Sequence, residues 1–212
     1  MIVYGASLSP FVRKVMVYGE ERGLDLELKM IGIGSPDPDF AEASPFRKMP
    51  GFRDGDFTIS DSTAIIAYLE AKYPDGRLMP ADPRHVARVT WFEEFADTIA
   101  MPIGGKVFFN RVVAPLIGRE GDLATADTAL ATEMPAVYAY LETQIDGEFL
   151  VGDTLTVADI SVASVLANMN LCDGAPCDGT YPKLCAWAKT MHARPSFAKW
   201  RGVDHKILQR AA

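Results

Sequence analysis

Apolar and polar positions in the first third of the chain switch between two periods, which predicts strands and helices in alternation. Ile2-Val3-Tyr4 is a short apolar run that reads as a strand. Val12, Val15, Met16 and Gly19 then fall at helical spacing, and the pattern stops at Gly23. From Leu26 to Ile31 the residues Leu26, Leu28 and Met30 alternate with charged ones, the period of a half-buried strand. Two strands joined through a helix of this length imply a parallel pair. Gly32 to Pro45 contains Ser35-Pro36-Asp37-Pro38 and reads as irregular, with at most a short helix near Asp39 to Ala43. Gly51-Phe52-Arg53 and Phe57-Thr58-Ile59 flank Asp54-Gly55-Asp56, which is a hairpin signal. A helix follows from Ser62 through Ile65, Ile66 and Leu69 to Tyr73, ending before Pro74.

Tyr73 to Pro83 holds three prolines and a glycine among polar residues, a linker composition. Beyond it the apolar period is helical throughout, over Arg84 to Asn110, Asp122 to Ile145, Thr156 to Leu171 and Tyr181 to Ala193. The expected organisation is an α/β domain over 1–75, a linker over 76–84 and an all-helical domain over 85–212. Thr156 and Asp159 stand at the N-cap and third positions of their helix, with Leu155 placed to meet Ile160; this reads as a capping box with a hydrophobic staple.

Composition narrows the class. With 49% hydrophobic and 23% charged residues in 212, the chain has enough apolar surface to bury one large core or two modest ones. Lys and Arg number 21 against 28 Asp and Glu, a formal charge of -7, so no uniform basic field exists for nucleic acid or anionic lipid. No apolar run approaches the roughly 20 residues that span a bilayer, and the N-terminus lacks the flanks of a signal peptide, so a cytoplasmic protein is expected. Cys172, Cys177 and Cys185 are an odd count without the His pairing of a zinc site. Reduced thiols and no metal are the expectation, with His192 structural.

Four stretches occur in an ordered series: Ser9-Pro10-Phe11 at a helix start, Ser44 to Pro50, Ser60-Asp61-Ser62-Thr63-Ala64-Ile65, and Gly152 to Asp159. In this order and spacing the chain resembles the cytosolic glutathione transferases, as a serine-type, bacterial-like member. The resemblance covers essentially the whole chain. It implies a thioredoxin-like N-terminal domain that binds glutathione as co-substrate, an all-α C-terminal domain forming the electrophile pocket, and a homodimer. Pro50 matches the family's cis-proline, and Met49 before it the residue whose backbone pairs with the cysteinyl part of glutathione. Ser62 and Asp61 match the residues that hold the γ-glutamyl carboxylate and ammonium, and Lys48 the lysine that meets the glycyl carboxylate. The chain departs from the family pattern in having Asp61 where Glu is commoner, and Gly51 where a small or branched apolar residue is usual.

Ser9 carries two readings. Before Pro10 it is a favoured N-cap, and by the resemblance it is the hydroxyl that donates to the glutathione sulfur. Ser7, two residues earlier, and Tyr4, in the first strand, compete for that role. Arg13 and Lys14 read either as a source of positive field or as the helix's solvated face. The second-substrate pocket is expected at Met101, Pro102, Phe108 and Phe109. The activity expected is conjugation of glutathione to a hydrophobic electrophile. The alternatives are a non-catalytic interaction module and a glutathione-dependent isomerase or dehalogenase.

Overall fold

In the computed structural model, which describes residues 1–211, β1 (Ile2–Gly5) is an interior strand of a four-stranded sheet ordered β2-β1-β3-β4. β2 (Glu27–Met30) lies parallel to β1, while β3 (Gly51–Asp54) and β4 (Phe57–Ser60) add on antiparallel. Strand side chains alternate between faces, so the register decides what each face packs against. Val3 pairs with Phe52, and both join the core with Val12 and Val15 of α1 (Pro10–Glu21) and Ile65 of α3 (Ser62–Lys72). Tyr4 pairs with Gly51 on the opposite face, where Phe40 and Ala43 of α2 (Pro38–Ala43) cover it. A Cβ on Gly51 would stand 3.2 Å from that of Ala43, so the family departure at this position is a close approach of helix to strand.

The helical half departs from the expected uninterrupted helices. α4 (Pro83–Phe95), α5 (Met101–Phe108) and α6 (Ala114–Leu116) form one rod, interrupted by π-helical turns at Ala96–Ala100 and Phe109–Val113. A third π turn, Ala129–Glu133, joins α7 (Leu123–Thr128) to α8 (Met134–Gln144). Each widened turn closes with an i→i−5 bond, from Met101 to Ala96, Ala114 to Phe109 and Met134 to Ala129. Each is followed at the next residue by a proline, Pro102, Pro115 or Pro135. A proline inside a helix has no N–H to give and crowds the carbonyl four residues back. The wider turn lets the helix pass that point without breaking.

α9 (Val157–Leu171) is buried from Val157 to Met169 and packs on α1, α4 and α5. α10 (Pro182–Ala193) and α11 (Pro195–Ala211) complete the chain. The last helix expected from the pattern is Tyr181 to Ala193; α11 is not foreseen, and Pro195 occupies its first turn, where the missing N–H costs nothing. One hydrophobic core runs from Val3 and Val15 to Leu166 and Met191, so sheet and helices are fused. The linker is pinned as well: Arg22 donates to the carbonyls of Tyr73 and Asp75, and the Leu78 N–H to Glu70. Asp159 accepts from Leu150 N–H, Thr156 N–H and the Thr156 hydroxyl, all within 2.9 Å.

The expectation of three reduced thiols is corrected. Cys177 and Cys185 form a disulfide, because the loop before α10 folds back on that helix's first turn and brings their Cα atoms to 5.1 Å. Cys172 is free and buried, and burial pushes its thiol up to about 11. Among the described residues no helix is long and apolar enough to cross a membrane, and no cluster of His, Cys, Asp and Glu is placed to hold a metal ion.

His192 makes one part of this fold sensitive to acid. Its Nε2 is 2.9 Å from the Ala163 carbonyl, which fixes the proton there, and Nδ1 accepts from the Asn170 amide at 3.1 Å. Burial pushes the imidazole down to about 4, with only the Ala163 carbonyl opposing it. The unfolded chain therefore binds this proton first, so stability is complete above the unfolded pKa near 6.5 and falls as pH drops towards 4. A loss of about 3 kcal/mol is expected over that window. Urea unfolding at pH 7 and pH 4.5 is expected to show a smaller fall for His192→Gln than for the natural chain.

Candidate active site

Ser9 precedes α1 in an extended conformation, φ −71° and ψ 124°, and Pro10 fills the first helical position. Its hydroxyl caps nothing and has no hydrogen-bond partner among the described residues. Ser9 lines a cleft of about 540 Å³ between the two halves of the chain. Met49 borders the cleft from the α/β side; Met101, Phe108 and Phe109 border it from the helical side. Pro102, grouped with them in the sequence reading, is exposed and lies outside the cleft.

The two competitors of Ser9 are committed elsewhere. Ser7 is fully buried and donates to Asp204 Oδ1 at 2.6 Å. The Tyr4 hydroxyl accepts from Arg53 Nε at 3.2 Å, on the α2 face of the sheet.

Behind Ser9 lies a closed ring of buried polar groups. Arg13 donates through Nε and Nη2 to Asp204 Oδ2, at 3.2 and 2.7 Å, and through Nη1 to Ser164 O and Asn168 Oδ1. Asn168 in turn donates its amide to the Leu8 carbonyl at 3.1 Å. Ser7 and Leu8 are thus both tied to the helical half, from Asp204 and Asn168, and Ser9 is the next residue. Burial pulls the Arg13 pKa below its ordinary value, with Asp204 opposing. Lys14 is buried too, paired with Glu93 at 2.7 Å and Asp97 at 3.2 Å. The solvated-face reading of these two cations is therefore wrong. α1 is buried continuously from Val12 to Gly19, so over this stretch it has no face left for water.

The polar end of the site is built on the hairpin. The Met49–Pro50 peptide is cis, and the Met49 N–H and C=O have no partner among the described residues. The Asp61 N–H reaches the Pro50 carbonyl at 3.3 Å, which draws the two loops together. Asp61 holds φ +84°, a conformation non-glycine residues avoid, and its Oδ1 caps α3 by accepting from Thr63 and Ala64 N–H. Ser62 is 2% exposed, and its Oγ is buried with no partner among the described residues. A buried hydroxyl left unpaired costs free energy unless a ligand completes it. Lys48 is exposed on the preceding loop, whose backbone the Ser44 hydroxyl holds by donating to Lys48 O and accepting from Lys48 N–H. Asp97 was not legible in the sequence. Burial pushes its carboxyl up, Lys14 pulls it down, and the charges of Glu93 and Asp61 push it further up.

An open-edged cis-proline loop, a helix N-terminus with an unpaired hydroxyl and an apolar cleft walled by helices together make a site that is polar at one end and apolar at the other. The family models agree: "Glutathione S-transferase, N-terminal domain" matches residues 3–77, and "Glutathione S-transferase, C-terminal domain" matches residues 110–203. Glutathione S-transferase 3 of Zea mays is 30% identical, covering 93% of this chain and 91% of its own. A glutathione S-transferase structure from Rhodospirillum rubrum superposes with a TM-score of 0.86 at 26% identity, covering 94% and 90% of the two chains. The structure of a glutathione S-transferase-I bound with lactoylglutathione gives 0.84 at 25% identity, over 95% and 98%. The chain belongs to the glutathione S-transferase family.

The ring behind Ser9 has a measurable stability. Asp204→Ala leaves the Arg13 guanidinium buried without its counter-charge and is expected to cost about 3–5 kcal/mol in chemical denaturation. The double substitution Arg13→Met, Asp204→Leu removes both charges and is expected to recover most of that loss.

Proposed function

We propose that the chain is a serine-type glutathione transferase that holds glutathione on residues 1–75 and adds its thiolate to a hydrophobic electrophile lying against residues 85–212. The observation that carries this reading is the Ser9 hydroxyl, unpartnered, at the mouth of α1 on a residue that lines the apolar cleft. In this reading Met49 pairs its free backbone with the cysteinyl unit. Ser62 takes the γ-glutamyl carboxylate through its hydroxyl and its own N–H, the amides of Thr63 and Ala64 being capped by Asp61, and Asp61 takes the ammonium. Pro50 shapes the loop, and Lys48 meets the glycyl carboxylate. Met101, Phe108 and Phe109 receive the electrophile. The binding of lactoylglutathione by a relative supports glutathione as the ligand.

The nucleophile is the thiolate, and a free thiol of this type has a pKa of about 8.5. Each unit of depression requires about 1.4 kcal/mol of preference for the anion. One hydroxyl donating to a charged acceptor supplies about 1.5–3 kcal/mol, and the positive end of α1 adds about 0.3–1. Ser9 therefore activates the sulfur as a donor and keeps its own proton.

The bacterial-like placement rests on the Rhodospirillum rubrum match. A homodimer is the proposed assembly, since Phe46 is 87% exposed and Trp91 47% exposed, apolar surface that a second copy would cover. The cytoplasm, where glutathione is abundant, is the proposed location.

Ser9→Ala is expected to lower kcat/KM about 10- to 100-fold at pH 7 towards an aromatic electrophile, by the loss of that one hydrogen bond. The apparent thiol pKa in its pH–rate profile rises by about 1–2 units, so activity recovers at alkaline pH. Calorimetry is expected to show nearly unchanged glutathione affinity for Ser9→Ala. For Ser62→Ala affinity falls about tenfold, the worth of one hydrogen bond to a carboxylate. Absence of glutathione binding by the natural chain would leave the interaction module as the better reading.

A further inference from the structure

Apart from the cleft at Ser9, the helical half carries a second cleft of about 430 Å³ in which sulfur and positive charge meet. Cys177 lines it, in the exposed loop before α10, together with Lys189 of α10 and Arg201 of α11. No Asp or Glu lines this cleft, and neither cation makes an ion pair among the described residues. Cys185, the other half of the disulfide, is half-buried in the first turn of α10, four residues before Lys189 and so on the same helix face.

We propose that Cys177–Cys185 is a second thiol-reactive site of this protein, opened by small anionic thiols such as glutathione with attack at Cys177. A thiolate carrying carboxylates is drawn in by Lys189 and Arg201 and meets the exposed sulfur of the pair. Its lone pair forms a new S–S bond to Cys177 Sγ. The Cys177–Cys185 bond breaks, and its electron pair leaves on Cys185 Sγ, one turn before Lys189 on α10, where it takes a proton from water. A second glutathione thiolate then attacks the glutathione sulfur of the mixed disulfide and expels the Cys177 thiolate, which is protonated in turn. In total one protein disulfide is reduced to two thiols and two glutathiones are oxidised to glutathione disulfide. Cys172 takes no part: it is buried, and burial holds it in the thiol form.

This site does not depend on the reading of Ser9, and the test keeps them apart. The folded chain, natural or Ser9→Ala, is incubated with reduced glutathione, alkylated and weighed intact; both are expected to gain two alkylated thiols at Cys177 and Cys185. With oxidised glutathione, Cys185→Ser is expected to carry one glutathione at Cys177. The double reversal Lys189→Glu, Arg201→Glu is expected to slow opening by glutathione about fivefold, the worth of two exposed ion contacts, and to slow opening by β-mercaptoethanol less, since its thiolate carries a single negative charge and no carboxylates. Three results would overturn the proposal: a disulfide that survives glutathione in the folded chain, an unmodified Cys177 in Cys185→Ser, or equal slowing of glutathione and β-mercaptoethanol. Circular dichroism of each variant separates these results from misfolding.

Discussion

A guanidinium shut away from water has to be met by acceptors, and Arg13 is met by three: the Asp204 carboxylate, the Ser164 carbonyl and the Asn168 amide oxygen. Arg13 and Asp204 are both 0% exposed and stand at opposite ends of the chain. A buried pair of this kind adds little stability over well-packed apolar residues, because desolvation consumes most of the attraction. What distinguishes it is direction. Methyl groups pack at many angles, but Ser7 and Asn168 complete this network only from particular positions, and through them the backbone on the N-terminal side of Ser9 is fixed. The last helix of the chain thereby sets the geometry of the first loop.

The rest of the site follows from backbone groups that secondary structure leaves over. Helix starts expose N–H groups, and in the proposed reading two of them, at α1 and α3, face one bound peptide. Between them the Met49 backbone is excluded from the sheet ladder, which begins only at Gly51. A peptide laid along this edge finds hydrogen bonds that the protein has not made for itself, while the side chains of α5 and the π turn after it leave the neighbouring volume apolar. The positive φ of Asp61 belongs to the same economy, since the strain is held in place by the cap it makes on α3.

Local pattern made the N-terminal half legible. The parallel β1–β2 pair, the hairpin at Asp54-Gly55 and the start of α3 all declare themselves within a few residues, and the ordered motifs from Ser9 to Ser62 named the candidate positions. Other features depend on partners remote in sequence. Arg13 looked solvent-facing because its counter-ion lies 191 residues away, on a helix hidden behind Pro195. Ser9 stood ahead of Ser7 by its place before Pro10 and by the family match, and the bond of Ser7 to Asp204 adds a reason that no local pattern carries. Asp97 carries no signal of its own. The disulfide likewise depends on a loop reversal that no hydrophobic period records.

The π turn at Phe109–Val113 has one further meaning, for how this wall of the cleft can change. A widened turn takes up one residue more than an α turn while the helices on either side keep their facing. Phe109 and Val113 border the cleft from within that loop of slack. Gain or loss of a single residue there would alter the contour presented to whatever occupies the cleft and leave α4, α9 and the α/β half where they are. Pro115, by making the wide turn the comfortable one, keeps that adjustable stretch in the wall.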